Sequence, residues 1–270
     1  MIKLTLKLHK NQENLMLILN SKKLPKNITI QEKYKSFLQQ ISRSLQNDYV
    51  YYVTGKLHID KATHVLNKLS IAYDLNLTAK QRFEKYSKGF ATSVIHVFQY
   101  QMEFHFILMT RDHQKTSLQS PFFKMENYKD ARKTRERIMV RDKYEFIRVN
   151  KESYDYEEKN IKVSAKNGVW TIRIAEFEKE RVWKKFNEAL KSLSYFELSQ
   201  VVYSMKSWIG FAEVRKDYLN FKAKLEQKFY KFTESRGKAL TFKEYMNKQR
   251  VKNHEEELEI LPDSLPYTRY

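Results

Sequence analysis

A seam of apolar side chains near the C-terminus constrains the fold more than any other feature of this 270-residue chain. Between Phe211 and Phe232, seven apolar residues recur at intervals of three or four, which places them on one face of a helix. Helical periodicity extends from about residue 176 to about residue 254. We therefore predict a C-terminal helical region over 176–254. The seam consists of Phe211, Val214, Tyr218, Phe221, Leu225, Phe229 and Phe232.

The first part of the chain, 1–175, has a different pattern, in which strand-forming runs alternate with helical segments. Alternating apolar and polar residues predict strands over 2–9 and 14–19, and the most hydrophobic stretch contains a predicted strand over 101–109. Glycine (5 residues) and proline (4 residues) are too scarce for a many-turned all-β fold. The predicted fold class is therefore α+β, with an N-terminal mixed region that has an antiparallel sheet and helices, followed by the helical region. A single fused domain is the alternative.

Caps, turns and composition predict the remaining boundaries. Asp60 and Thr78 are suitable N-caps for two helices that end near residues 69 and 90. The sequence Lys166-Asn167-Gly168 is a turn signal. The segment 255–270 begins with three glutamates and predicts an acidic, flexible tail. The other predicted elements are helices over 31–47 and 126–139 and strands over 49–59, 143–149 and 162–174.

The charge of the chain predicts its partner. Lysine and arginine total 51 against 32 aspartates and glutamates, which gives a formal net charge of +19 at pH 7. Solubility requires charge but not charge of one sign, whereas nucleic-acid phosphates attract only cations. The excess is concentrated in two segments, with ten basic against five acidic residues in 122–151 and twelve against five in 211–254. We therefore expect a polyanionic partner, DNA or RNA.

Basic side chains in these segments are the candidate phosphate contacts, and aromatic side chains among them are candidate platforms for unpaired bases. Trp170 lies on a predicted strand between basic residues and is a candidate for stacking; a buried core position is the alternative. The candidate nucleic-acid-binding residues are Lys129, Arg132, Lys133, Arg135, Arg137, Trp170, Arg173, Lys216, Lys222, Lys224, Lys228 and Lys231.

Several classes of protein are poorly matched. The chain has no cysteine, which excludes disulfides, thiolate metal sites and cysteine nucleophiles. No run reaches the ~18–20 apolar residues of a membrane span, and the first residues alternate like a strand rather than like a signal peptide. We therefore expect a cytoplasmic protein with no membrane partner. Neither a glycine-rich phosphate loop nor a Gly-x-Ser-x-Gly motif is present. The carboxylates of a metal nuclease can be scattered along the sequence without a fixed spacing, so this class of enzyme is not excluded.

One candidate metal site lies on the predicted strand over 101–109. Alternate residues of a strand share a face, so Glu103 and His105 point one way while Phe104 points into the core. This places a carboxylate and an imidazole within reach of one divalent cation, with His113 in the following loop as a third candidate ligand. The alternative is an exposed or hydrogen-bonded pair on the solvent side of a half-buried strand.

The sequence Glu103-Phe104-His105 resembles a degenerate form of the metal-binding His–hydrophobe–His strand of the HUH nucleases, which include rolling-circle replication initiators, relaxases and related transposases. The resemblance implies that Mg²⁺ or Mn²⁺ is held on a central strand, and that a tyrosine on a nearby helix attacks a DNA phosphate. Tyr128, at the start of the predicted helix over 126–139, has the matching place in chain order. Glu103 replaces the first histidine of the motif, which also suits an inactive, binding-only relative.

Three functions follow from these features. The first is a basic cytoplasmic nucleic-acid-binding protein that contacts phosphates, with a composition that suits a plasmid, phage or other mobile genetic element. The second is a metal-dependent DNA-nicking enzyme that acts in replication initiation or mobilisation. The third is an interaction or inhibitor protein that covers an acidic protein surface or a nucleoprotein complex. We favour binding over catalysis.

Overall fold

The structure, a computed structural model of the chain, is α+β as predicted, with a sheet in its N-terminal part and helices in its C-terminal part. It divides into two compact units, Met1–Glu136 and Arg137–Tyr270. The predicted strands over 2–9 and 14–19 and the predicted acidic tail over 255–270 lie outside the described residues. The structure describes residues 25, 27–113, 128–149, 152–154, 161–163 and 168–252, with the backbone alone for 152–154 and 161–163.

Among the described residues of the first unit, five strands form the main sheet. They are β1 (Ile30–Gln31), β2 (Tyr51–His58), β3 (Thr92–Tyr100), β4 (Glu103–Arg111) and β5 (Lys129–Asp130). The strand order is β1-β3-β4-β2-β5. β4 pairs antiparallel with β3 and with β2, whereas β1 pairs parallel with β3. The strand that carries Glu103 and His105 is therefore the middle strand of the five.

Helices pack on both faces of this sheet. They are α1 (Tyr34–Gln46), α2 (Ile59–Ala72) and α3 (Ala79–Ser87). α1 lies on the face that carries Phe98, whose ring stacks on that of Phe37 with 5.6 Å between centroids. α2 lies on the opposite face, where Leu66 packs with Phe104 and Leu108. Because neighbouring residues of a strand point to opposite faces, β4 is buried on both sides along most of its length.

The predicted strand over 101–109 is wrong at its start, because a turn interrupts the hydrophobic stretch. Gln101 lies in the turn of the β3–β4 hairpin and has a φ of 54°. The polar face of β4 is also shorter than expected, since Ile107 is 1% exposed. α1 covers this face: the Ser44 hydroxyl lies 2.7 Å from Nε2 of His96, the residue opposite Ile107 in the β3–β4 register.

Capping fixes the starts of two helices. Thr78 is the N-cap of α3, as predicted, and forms a capping box in which its hydroxyl accepts from the Gln81 backbone N–H. For α2 the predicted cap was wrong, because His58 is the N-cap and Asp60 lies in the first turn. In this position the negative charge of Asp60 interacts favourably with the positive end of the helix dipole. The Asp60 carboxylate also lies 3.0 Å from Nδ1 of His58. Two further predictions are confirmed, the helix over 31–47 as α1 and the strand over 49–59 as β2.

The predicted charged helix over 126–139 is wrong over its described part. The residues form β5 and then a single 3₁₀ turn, Thr134–Glu136. β5 pairs with the start of β2, and the Asp130 carboxylate accepts a hydrogen bond from the Arg132 backbone N–H at 3.0 Å. This side-chain-to-backbone bond is typical of a turn and competes with helix formation. The segment also lacks a run of apolar residues at helical spacing, so a helix here would have no apolar face to pack against the core.

The described part of the second unit contains two small sheets. Its strands are β6 (Met139–Val140), β7 (Tyr144–Val149), β8 (Glu152–Tyr154), β9 (Ile161–Val163) and β10 (Val169–Ile174). β7 pairs antiparallel with both β6 and β10, and β8 pairs with β9. The predicted strand over 143–149 is confirmed as β7. The predicted strand over 162–174 corresponds to β9 and β10, and most of the predicted turn at 166–168 lies outside the described residues.

Helices complete the second unit, and the predicted change to helical structure at residue 176 is confirmed. The seam forms the core: Val214, Tyr218 and Phe229 are fully buried, whereas Phe232 is half-buried. The predicted boundary at residue 175 lies inside this unit, and as a boundary between domains it stays a prediction. None of the helices in the described part of the chain is long and apolar enough to cross a bilayer. The helices are α4 (Glu176–Ser192), α5 (Tyr195–Lys206), α6 (Ala212–Glu234) and α7 (Phe242–Lys252).

Candidate functional site

Two of the three predicted metal ligands lie together at the start of β4. Oε2 of Glu103 is 3.6 Å from Nε2 of His105, and the side chains are 51% and 19% exposed. The Tyr100 ring lies edge-on to the imidazole, with 6.3 Å between ring centroids. The pair is therefore a contact between a half-exposed carboxylate and a less exposed imidazole, and the 3.6 Å between the two atoms is too long for a hydrogen bond. Of the alternative that the sequence left open, only the exposure of Glu103 is observed.

The third predicted ligand, His113, lies beyond the other end of the same strand. Eight residue steps separate Glu103 from Arg111, a distance of roughly 27 Å along an extended strand. The His113 ring instead lies 5.0 Å from the ring of Tyr86 on α3. Among the residues that the structure describes, no three histidine, aspartate or glutamate side chains are placed to share a metal ion. The arrangement does not fit the metal site that the HUH resemblance implies.

Tyr128, the predicted nucleophile, is not on a helix. It precedes β5 and is 42% exposed, with its ring 6.1 Å from that of Tyr51. β5 pairs with β2 at Tyr51, and Tyr51 is opposite Thr110 of β4. The strand pairing therefore places Tyr128 near the Arg111 end of β4, which is the end away from Glu103. The structure does not bring the three parts of the predicted nicking site together.

The predicted basic contacts near residue 130 are joined to carboxylates. In the first unit the Arg132 guanidinium donates to both oxygens of Asp130, Nε to Oδ1 at 2.9 Å and Nη2 to Oδ2 at 2.8 Å. Although burial raises the pKa of Asp130, the hydrogen bonds and charge of Arg132 bring it below its ordinary value. Lys133 lies 3.2 Å from Glu136. The positive charges of Arg132 and Lys133 are therefore partly neutralised by carboxylates of the protein itself.

The second unit repeats this pairing around one buried carboxylate. Glu145 of β7 is opposite Arg173 of β10 in the sheet, and the Arg173 Nε–H donates to it. Nη1 of Arg137 lies 3.6 Å from its other oxygen. We call the set of Arg132, Lys133, Arg137 and Arg173 the paired group. Lys129 and Arg135 are exposed and form no ion pair with another described residue.

Trp170 belongs to the core. Its side chain is 6% exposed, so its ring offers no free face for a base. The alternative that the sequence left open, a buried core tryptophan, is the one observed. α6 packs against β10 within the second unit, and Ile172 and Ile174, which share the Trp170 face of the strand, are also buried.

The basic side chains of α6 are in two environments. Lys216 lies 2.8 Å from Glu213 and Lys222 lies 4.0 Å from Glu226. In contrast, Lys224, Lys228 and Lys231 have no carboxylate within ion-pair distance among the described residues. Their spacing of four and three residues puts them on one side of the helix. We call these three residues the free lysine row.

Lys224, the first member of the free lysine row, lines a cavity of about 400 Å³ between α4 and α6, inside the second unit. Trp183 lines the cavity, and Nζ of Lys228 lies 4.8 Å from its ring centroid, a cation–π contact. Phe221 meets the same ring edge-on at 5.8 Å. The residues that line the cavity are Glu176, Lys179, Glu180, Trp183, Asp217, Asn220, Phe221 and Lys224.

One ion pair fixes the lining of this cavity. Oδ1 of Asp217 is 2.9 Å from Nζ of Lys179, and Oδ2 accepts the Ile174 backbone N–H at 3.0 Å. Both partners of the ion pair are about one-fifth exposed, at 18% for Lys179 and 20% for Asp217. Lys179 also lies 3.5 Å from Glu176. The cavity therefore offers ordered charges and an aromatic ring rather than a uniformly positive surface.

The positive charge continues past the cavity along the chain. From Lys228 to Lys252, the end of α6, the following turn and α7 carry eight basic residues against two acidic ones. Gly237, with a φ of 73°, lies in this turn, and the Arg236 guanidinium lies 4.3 Å from the centroid of the Phe232 ring. The basic residues are Lys228, Lys231, Arg236, Lys238, Lys243, Lys248, Arg250 and Lys252.

Sequence reasoning missed Trp183 and selected Trp170 instead. Trp183 lies in the helical region, directly before Lys184 and Lys185, which are exposed. A tryptophan on an amphipathic helix beside such a basic pair is a better candidate for a half-exposed ring than one inside a strand of apolar residues. The chain matches no protein-family model, and neither a curated protein nor a solved structure shows significant similarity to it.

Proposed function

We propose that this protein binds nucleic acid, and that phosphates contact the free lysine row of α6 together with the basic residues that follow it through α7. The observation that carries this proposal is the absence of carboxylate partners, within the described residues, for Lys224, Lys228 and Lys231. A lysine without a carboxylate partner has no ion pair to give up when it meets a phosphate. The net charge of +19 supports the same class of ligand.

The paired group is a weaker candidate for phosphate contact. An arginine that donates two hydrogen bonds to a carboxylate would have to give them up or share them with a phosphate. The carboxylate would also repel the phosphate at short range. We therefore assign the paired group a structural role in the proposed function, with phosphate contact on the α6–α7 side.

The experiment compares two double variants of one helix by fluorescence anisotropy with labelled single- and double-stranded DNA and RNA. Lys224→Gln/Lys228→Gln removes two members of the free lysine row, and Lys216→Gln/Lys222→Gln removes two lysines that already face glutamates. We expect the first variant to weaken binding about tenfold more than the second, although both remove the same charge. Absence of binding to all four nucleic acids at low salt would overturn the proposal.

A further inference from the structure

The cavity between α4 and α6 has the size of a site for one flat ring. At about 400 Å³ it falls at the lower end of the range for small-molecule pockets, roughly 300–1,000 Å³. A base pair inside a duplex cannot enter such a space, whereas one unstacked base can. If nucleic acid binds on this side of the second unit, the cavity therefore selects a single strand or an unpaired nucleotide.

The Trp183 ring is held in a fixed orientation by its neighbours. Phe186 packs against it with 6.0 Å between centroids, and Phe221 meets it edge-on at 5.8 Å. Lys228 lies 4.8 Å from the ring centroid, and Lys224 is in the lining. A base stacked on this indole would lie beside two ammonium groups, because Lys228 contacts the ring and Lys224 lines the same cavity. Stacking of this kind contributes without regard to the identity of the base.

Carboxylates in the cavity lining would add selectivity to this stacking. Asp217 is already occupied by Lys179 and the Ile174 backbone N–H, and Glu176 lies 3.5 Å from the same lysine. Glu180 is exposed, lines the cavity and forms no ion pair with a described residue. An ionised carboxylate only accepts hydrogen bonds, so its two oxygens match a base edge with two adjacent N–H donors.

We propose that the α4–α6 cavity binds one unpaired guanine of a single-stranded nucleic acid, an inference that rests on the proposed function. The ring stacks on Trp183, and the two oxygens of Glu180 accept the N1–H and N2–H bonds of the Watson–Crick edge. Uracil and thymine present carbonyl oxygens beside their single N–H, which repel the carboxylate. Adenine and cytosine offer one amino group next to an acceptor nitrogen and are intermediate.

The test uses eleven-nucleotide oligothymidylates that differ only at the central position, which is dT, dG or deoxyinosine. Deoxyinosine lacks the N2 amino group and keeps N1–H. We expect dG to bind about tenfold more tightly than dT, within the range for one bidentate base contact, with deoxyinosine between them. Glu180→Gln should abolish the preference for dG. Glu176→Gln, on the same wall of the cavity, is the matched control and should keep most of it.

A second readout follows tryptophan fluorescence. Trp170 and Trp208 are buried, at 6% and 2% exposure, so quenching by the oligonucleotide reports on Trp183, and Trp183→Phe should remove it. Equal affinity for the three oligonucleotides, with strong salt dependence, would overturn the guanine assignment and leave nucleic-acid binding intact. No binding to any of them at low salt would overturn both. A dG preference that survives Glu180→Gln would overturn the assigned role of the carboxylate.

Discussion

The paired group and the free lysine row contain the same kind of charge in opposite environments. Arg132, Arg137 and Arg173 each contact a carboxylate that is nearly buried, with Asp130 and Glu145 only 10% and 11% exposed at the side chain. The free lysine row has no such partner among the described residues and lies beside a half-exposed tryptophan. Basic residues close together in sequence therefore do not by themselves indicate unpaired positive charge, because the fold can place a nearly buried carboxylate beside them.

The largest expected effect comes from reversal of the free lysine row. Lys224→Glu/Lys228→Glu/Lys231→Glu should weaken nucleic-acid binding by at least about 100-fold at moderate salt, because three attractions become repulsions. Binding is measured by anisotropy, and thermal unfolding checks that the variant is folded.

The control for bulk charge is a triple reversal in the first unit, Lys61→Glu/Lys68→Glu/Lys88→Glu. These lysines are exposed, and the change in net charge is the same. We expect only a few-fold loss of affinity, by long-range electrostatics. Equal losses in the two triple variants would contradict the distinction between placed and bulk charge.

Replacement of Asp130 should have the opposite effect from reversal of the lysines, because it should lower stability and leave nucleic-acid affinity nearly unchanged. Asp130→Ala removes the acceptor of the Arg132 hydrogen bonds and should lower the free energy of unfolding by about 2 kcal/mol, because hydrogen bonds to charged groups are strong and the arginine is left without its partner. Nucleic-acid affinity should stay within about twofold of that of the intact protein. Urea unfolding and anisotropy measure the two effects. A large gain in affinity without loss of stability would mean that the paired group is a phosphate site held closed by its carboxylate.

A smaller effect concerns pH. The pKa of Asp130 is lowered in the folded protein, so its ion pair stabilises the fold above the unfolded-state pKa, and this contribution is lost as the pH falls below about 4. The stability difference between the protein and Asp130→Asn should be constant between pH 7 and 5 and should shrink below pH 4. Lysines keep their charge across this range, so the free lysine row should not respond. A difference that stays constant down to pH 3 would contradict the ion pair.

The first unit should also respond to acid through His96, independently of both groups of cations. Burial, with a further contribution from Arg82, lowers the pKa of His96 to about 4. His96 is therefore protonated near pH 6.5 in the unfolded chain but stays neutral in the folded protein until about pH 4. As a result, the free energy of unfolding should fall as the pH is lowered from 6.5 to 4. His96→Gln should flatten this part of the stability profile, as measured by urea unfolding at several pH values.

Helical periodicity and capping residues were sufficient to predict the elements in which the local sequence signals agree with the tertiary structure. The seam from Phe211 to Phe232 and the Thr78 capping box are both present as predicted. The β3–β4 turn was missed because Gln101 and Met102 carry no glycine, proline or asparagine signal inside a hydrophobic run. A turn without such residues depends on strand pairing, which is a tertiary property.

The surroundings of the candidate site residues could not be predicted for the same reason. Glu145 neutralises Arg173 only because the β7–β10 register puts them opposite each other, and the sequence does not specify that register. His113 and Glu103 are close in the chain, but Glu103 begins β4 and His113 lies beyond its other end. Trp183 was overlooked because helical periodicity does not show which half-buried positions border a cavity.

The salt dependence of binding tests the role of the free lysine row most directly. The slope of log K against log salt concentration is measured for the intact protein and for Lys224→Gln/Lys228→Gln/Lys231→Gln. Three lost phosphate contacts should make the slope shallower by about 2–3. In Lys216→Gln/Lys222→Gln the slope should change by less than about one. An unchanged slope in the triple variant would contradict the proposal that these lysines contact phosphates.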